Sequence, residues 1–174
     1  MKTIITFVLL TLAAVASRLV PHPPNVTAVA ALALVGGMYL DRRVALFLPL
    51  GAMILSDAII GFHGLMLYVY PAFLLTAGLG MLLKSSPRLP ALVGGSIAGS
   101  VLFFVLTNGG VWISGDGTVY PKTVEGFVAC YVAGIPFFRN SLLGDLFYAG
   151  LFAGLFEAAR RVFRVSWRGK PNPS

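Results

Sequence analysis

Two aspartates hold most of the chemical promise of this chain, because each stands inside a long apolar run. Asp57 follows Ser56 near the end of one run, and Asp145 follows Gly144 near the start of another. A carboxylate among aliphatic side chains is costly unless it is paired, hydrogen-bonded or turned toward a cavity. Read as helical positions, each lies about five residues, roughly 7 Å, inside the same boundary. Two acids at one depth on separate helices predict a shared polar site. The alternative is that each only orders a loop, with Arg18 or Arg139 as its partner.

Other polar groups fall on the same side. The stiff segment Pro21-His22-Pro23-Pro24-Asn25 is one, and His63 lies in a second connection. A third connection runs from Asn108 through Gly109, Gly110, Trp112, Asp116, Tyr120 and Lys122 to Arg139 and Asn140. Long ordered connections of this kind are often lids or binding elements. The candidate solute-binding set is therefore Asp57, Asp145, Asn108, Trp112, Asn140, Arg139, Tyr120, Asn25 and His22. In it the acids accept hydrogen bonds or pair with a cationic group, while Asn108, Trp112 and Asn140 touch the solute. Trp112 or Tyr120 stacks on a ring, or else anchors the chain at a membrane interface.

Competing chemistries have less behind them. His22 and His63 lack a spaced third ligand, so no metal is expected. The phosphate loop G-x-x-x-x-G-K-[ST] is missing. Gly94-Gly95-Ser96 is no nucleophile elbow, since position 98 is Ala. Leu142-Leu143-Gly144-Asp145 lacks the G-x-G-D of an intramembrane aspartyl protease, and neither a dinucleotide fingerprint nor C-x-x-C-H occurs. No catalytic residue, cofactor or enzymatic activity is expected. Cys130 stands alone and forms no internal disulfide.

The elements that position these residues are set by composition. Of 174 residues 57% are apolar and only 11% charged, and the mean hydropathy is +0.88. Soluble domains carry roughly a quarter charged residues, so an ordinary soluble globule is excluded, as is a disordered chain. Spans of about 20 apolar residues are needed to cross a bilayer. Six are predicted: Thr3 to Leu19, Val26 to Leu40, Val44 to Phe62, Gly64 to Leu83, Leu89 to Thr107 and Ser141 to Ala159. Leu-, Ala- and Gly-rich runs without period-two alternation make them helices. The fold class is an all-α polytopic bundle, residues 1–159, with a basic cytoplasmic tail over 160–174.

Thr123 to Phe138 is apolar but short and contains Glu125, so it is expected to be a re-entrant or interfacial helix before the last span. With six spans and the N-terminus inside, ten basic residues lie inside: Lys2, Arg42, Arg43, Lys84, Arg88, Arg160, Arg161, Arg164, Arg168 and Lys170. Three, Arg18, Lys122 and Arg139, lie outside. That bias follows the positive-inside rule and places both termini in the cytoplasm. It also accounts for the excess of 13 Lys and Arg over 6 Asp and Glu without nucleic acid as a partner. The basic tail, with Phe163 and Trp167, suits an anionic lipid leaflet. Lys2, the run Ile4 to Leu12 and Ala14-Val15-Ala16 also fit a cleavable secretory signal. Small residues at every fourth position (Ala91, Gly95, Gly99; Gly150, Gly154, Ala158; Ala13, Ser17) mark close helix contacts, within the bundle or with a membrane partner.

Several strings together resemble one uncharacterised bacterial family of small integral-membrane proteins assigned to transport. They are Pro21 to Asn25 leading into Ala28 to Gly37, Ser56-Asp57, and Thr107-Asn108-Gly109-Gly110-Val111-Trp112. Tyr120-Pro121-Lys122-Thr123, Cys130-Tyr131 and Ile135 to Asn140 with Gly144-Asp145 complete the set, over roughly residues 15 to 160. In architecture the chain is similar to the S components of energy-coupling-factor (ECF) transporters. That resemblance implies six helices with both termini inside and an outward-facing site roofed by outer loops. It also implies energising partners, a transmembrane coupling protein and two ATPases. The Ala-x-x-x-Ala docking signal of such components is present only as Ala13 with Ser17. The expectation is a multi-pass protein of the bacterial inner membrane that takes up a small polar solute between its third, fifth and sixth spans. A non-transporting membrane scaffold is the alternative, and a membrane enzyme a more distant one.

Overall fold

The computed structural model describes the backbone of residues 2–85 and 89–168, and side chains over 5–84 and 89–161. It consists of α1 (Lys2–Leu19), α2 (Val29–Tyr39), α3 (Arg42–Ile60), α4 (Met66–Leu82), α5 (Leu89–Ser114) and α6 (Val124–Arg168). A single 3-10 turn, Leu83–Ser85, follows α4. No strand occurs among the described residues, so the chain is all-α.

The short helix α2 is the axis of the bundle. Every residue from Val29 to Met38 is buried, and all five other helices touch it. Its closest neighbour is α4, and two glycines make that approach possible. A methyl group at Gly37 would overlap the carbonyl oxygen of Ala77, and one at Gly80 would overlap that of Leu34. The two backbones therefore lie against each other with no side chain between them. At one end of α2, Tyr39 and Phe7 close on Phe156, with ring centroids 4.5 and 5.1 Å away. Lys84 donates to the Leu40 carbonyl at 2.8 Å, placing a cation at the negative end of α2.

Many large apolar side chains on the other helices point outward: Phe47 is 71% exposed and Leu82 79%. Water-soluble monomers do not carry apolar surface of this extent, whereas lipid tails accept it. By length and composition α3, α5 and residues Val124–Arg161 of α6 are able to cross a membrane. Ile5–Leu19, Val29–Tyr39 and Met66–Leu82 are apolar but shorter.

Two sequence expectations are corrected. The segment Thr123 to Phe138 is not a separate re-entrant or interfacial helix: it is the first third of α6, which continues through Pro136, Arg139 and Asn140 without a break. Proline removes one backbone donor but does not stop this helix, because its flanks pack continuously on α5. Phe104 meets Phe138 at 5.0 Å and Tyr131 at 5.5 Å. Likewise Asn108, Gly109 and Gly110 do not open a loop. They lie within α5, where the Asn108 amide donates to the Phe104 carbonyl at 2.9 Å. The glycines there relieve contact: a methyl at Gly110 would overlap the Tyr68 ring, and one at Gly134 the Asn108 amide. The true connection is residues 115–123. α6 continues to Arg168. The side chains expected to meet lipid, Phe163 and Trp167, and residues 169–174 lie outside the described residues, as does Arg88.

Candidate functional site

Asp57 is completely buried near the end of α3. Tyr70 donates to its Oδ2 at 2.8 Å, and Arg18 Nη2 stands 2.7 Å from Oδ1. The approach to Oδ1 lies outside hydrogen-bond geometry, so that contact is a charge pairing rather than a directional bond. Arg18 Nη1 donates to Ser56 Oγ at 2.5 Å and to Met53 Sδ at 3.0 Å. The guanidinium is thus locked across the end of α1 onto one turn of α3.

Asp145 is only 6% exposed and has a different setting. Ser100 donates to its Oδ2 at 2.6 Å, and no ion pair reaches it among the described residues. The expectation that Asp145 lies about five residues from the start of its helix does not hold. Because α6 starts at Val124, Asp145 is 21 positions beyond its first residue. It shares a crevice with Thr76 and Gly99. Thr76 lies six positions beyond Tyr70, the α4 partner of Asp57.

Above Asp145 opens a cavity of about 580 Å³, within the roughly 300–1,000 Å³ of small-molecule sites. Asp145 and Ser141 from α6 line it, with Arg18, Met53 and Ala30 opposite. Phe73, Phe103 and Phe137 form apolar walls, and Asn108, Thr107 and Cys130 lie higher. His22, Asn25, Ile60, His63 and Tyr120 form the rim, where Asn25, Ile60 and His63 are exposed. Of the sequence candidates, the cavity gathers Asp145, Asn108, Tyr120, Asn25 and His22. Asp57 stands behind Arg18 and does not reach it.

Two of the remaining candidates, Asn140 and Trp112, hold the roof. The Asn140 amide donates to the Pro24 carbonyl at 3.1 Å, and Val26 rests on Gly144. Ser17 accepts the Ala28 backbone N–H at 3.0 Å. The proline segment is therefore fixed from both ends, with Asn25 in the left-handed region (φ 65°). Trp112 donates to the Pro121 carbonyl at 3.1 Å, meets Phe127 edge-on and carries the Lys122 ammonium 5.2 Å from its ring centre. Lys122 also donates to the Trp112 and Ile113 carbonyls, closing the end of α5. Within the connection, the Thr118 hydroxyl and backbone N–H both donate to Asp116, which holds that carboxyl below its usual range. Arg139 is exposed on α6 and forms no ion pair among the described residues.

Ser100 escaped notice in the sequence. Its signal was legible: Ser96 and Ser100 are one turn apart on the face that carries Gly95 and Gly99. The aromatic walls gave no signal, since Phe73, Phe103 and Phe137 are ordinary residues of apolar runs.

Fold and site together define an all-helical protein, with helices able to cross a membrane, that encloses a polar-floored cavity at one end. The chain belongs to DUF6580, a family of unknown function that matches residues 1–167. No curated protein and no solved structure matches it.

Proposed function

We propose that the chain is a multi-pass membrane protein that binds a small polar solute in the cavity, as the binding component of an uptake system. The observation that carries this reading is the acid at the cavity floor. Asp145 sits deep in the bundle, hydrogen-bonded once and not ion-paired among the described residues, facing a volume of small-molecule size. An acid retained in apolar surroundings marks a solute or ion site.

Charge placement supports an outward-facing mouth. Arg42 and Arg43 begin α3, Lys84 follows α4, and Arg160 and Arg161 lie late on α6. All are at the end of the bundle remote from the cavity, which the positive-inside rule assigns to the cytoplasm. Six helices with a roofed outer site are also the arrangement of ECF S components. In that arrangement energy comes from a transmembrane coupling protein and ATPases, and a bacterial inner membrane is the setting. The site lies between α1, α2, α4, α5 and α6, with α3 contributing Met53 and Ile60 rather than its acid.

Native mass spectrometry of gently extracted protein tests the binding reading. A small molecule should leave with the wild-type chain and be missing from Val111→Trp, which fills the cavity from α5. Identical spectra from the two proteins would overturn it.

One observation favours the scaffold reading. Gly150, Gly154 and Ala158 form an exposed stripe on α6, and a methyl group added at either glycine would meet no neighbour within 4 Å. A scaffold would lose its membrane partner on Gly154→Leu and keep it on Asp145→Asn.

A further inference from the structure

Resting on the solute-binding reading, we infer that the cavity selects a compact organic cation: a protonated amine or quaternary ammonium on an aromatic or apolar body. Asp145 and Arg18 line the cavity, with Asp57 behind Arg18, and the balance of these three charges decides the sign. Arg18 already faces Asp57 at 2.7 Å, and its other terminal nitrogen is bonded to Ser56 and Met53. Its charge is answered within the protein. Asp145 has no such counter-charge: Ser100 is its only hydrogen-bond donor, and no cation pairs with it, among the described residues. An anionic solute would have to draw Arg18 from a fully buried carboxylate and then lie beside a second one. A cation supplies what Asp145 lacks, whereas an anion there would add a second uncompensated buried charge.

The body of the ligand is read from the walls. Phe73, Phe103 and Phe137 present apolar and aromatic surface, suited to a ring or short hydrocarbon and to the face of a cation. His22, Asn25 and Asn108 lie toward the rim, where hydrogen-bonding groups at the far end of the ligand would sit.

The test reads the charge preference of the cavity with small thiol reagents. Ser141→Cys, in a Cys130→Ser background, puts a thiol one helical turn from Asp145 on the cavity wall. Its thiolate attacks the sulfenyl sulfur of a methanethiosulfonate, forming a mixed disulfide and expelling methanesulfinate. Rates with the cationic aminoethyl and anionic sulfonatoethyl reagents are normalised to Val119→Cys, an exposed site in the same background. The cation should be favoured about a hundredfold or more, as expected for unit charges some 6 Å apart at an effective dielectric near 20. Asp145→Asn should bring the ratio close to one. Ala30→Cys, which lines the same floor from α2, repeats the measurement if Ser141→Cys does not fold.

A ratio at or below one in a cavity that does react overturns the cation inference and leaves the binding cavity standing. If even the neutral methyl reagent reaches neither thiol, the cavity is closed and the proposed function falls with it. Slower labelling in phosphatidylethanolamine vesicles than in neutral glycolipid vesicles would assign the cation to a lipid headgroup, and equal rates to a solute. Both leave the ligand class in place.

Discussion

Arg18 and Asp57 show how burial changes the role of a residue. Apart, either would suggest a ligand contact; together, at 2.7 Å and with the acid fully enclosed, they tie α1 to α3. Removing one partner leaves an uncompensated buried charge, which costs about 3–5 kcal/mol in comparable cases. Arg18→Met should therefore lower the thermal midpoint in detergent sharply, and adding Asp57→Asn should recover much of the loss. A double variant no more stable than Arg18→Met would contradict this account. Asp145→Asn should leave the midpoint close to wild type, because Ser100 still has an oxygen to bond. Asp116 offers a smaller test in the 115–123 connection. Thr118 lowers the pKa of its carboxyl in the folded chain, so the turn gains stability above the unfolded carboxylate pKa. That gain is lost only as pH falls through the lower, folded value. The Thr118 amide resonance should titrate below the usual range of about 3.9, and a midpoint at or above it would refute the bond.

At the scale of elements, two kinds of glycine separate. Gly37 and Gly80 sit where any side chain would strike the facing backbone, which has no rotamer with which to yield. Gly80→Val should cost more than the roughly 1–3 kcal/mol of ordinary overpacking, visible as lost folded yield on size exclusion. Gly150→Leu meets open space and should fold normally as a monomer; a collapse equal to that of Gly80→Val would reverse the assignment. The same contrast explains what was legible in the sequence. Apolar run length gave α1 to α4 to within a few residues, because that signal is local. It ended α5 at Thr107 rather than Ser114, however, and began the last helix at Ser141 rather than Val124. The role of glycine was not local. Gly109-Gly110 reads as a turn, and only the Tyr68 ring against Gly110 reveals a close contact inside α5. Arg139-Asn140 reads as a helix boundary for the same reason, and α5 packing carries α6 straight through it. The site followed this pattern. Asp145 was visible as an acid in an apolar run, but its depth depended on where α6 begins. Asp57 was visible too, and which of two open partners it takes was fixed by the fold.

The whole molecule has a direction, and this is where the proposed function is most exposed to disproof. Val124–Arg161 alone extends about 57 Å as a helix, well beyond the roughly 30 Å of a hydrocarbon core. The α5–α6 hairpin must therefore tilt or stand proud on one face. Asp116, Lys122 and Glu125 cluster at that hairpin's tip, while Arg42, Arg43, Lys84, Arg160 and Arg161 lie at the opposite end. Charge asymmetry of this kind orients membrane proteins with the basic end inside, so the tip and the cavity mouth should face outward. Single cysteines in a Cys130→Ser background read this directly in intact cells. Val119→Cys, exposed in the connection, should react with a membrane-impermeant maleimide added outside. Asp41→Cys, exposed between α2 and α3, should react only after the membrane is opened. The reverse pattern would turn the cavity toward the cytoplasm. A solute could not then be captured from outside, and the uptake reading would have to give way to export or to a structural role.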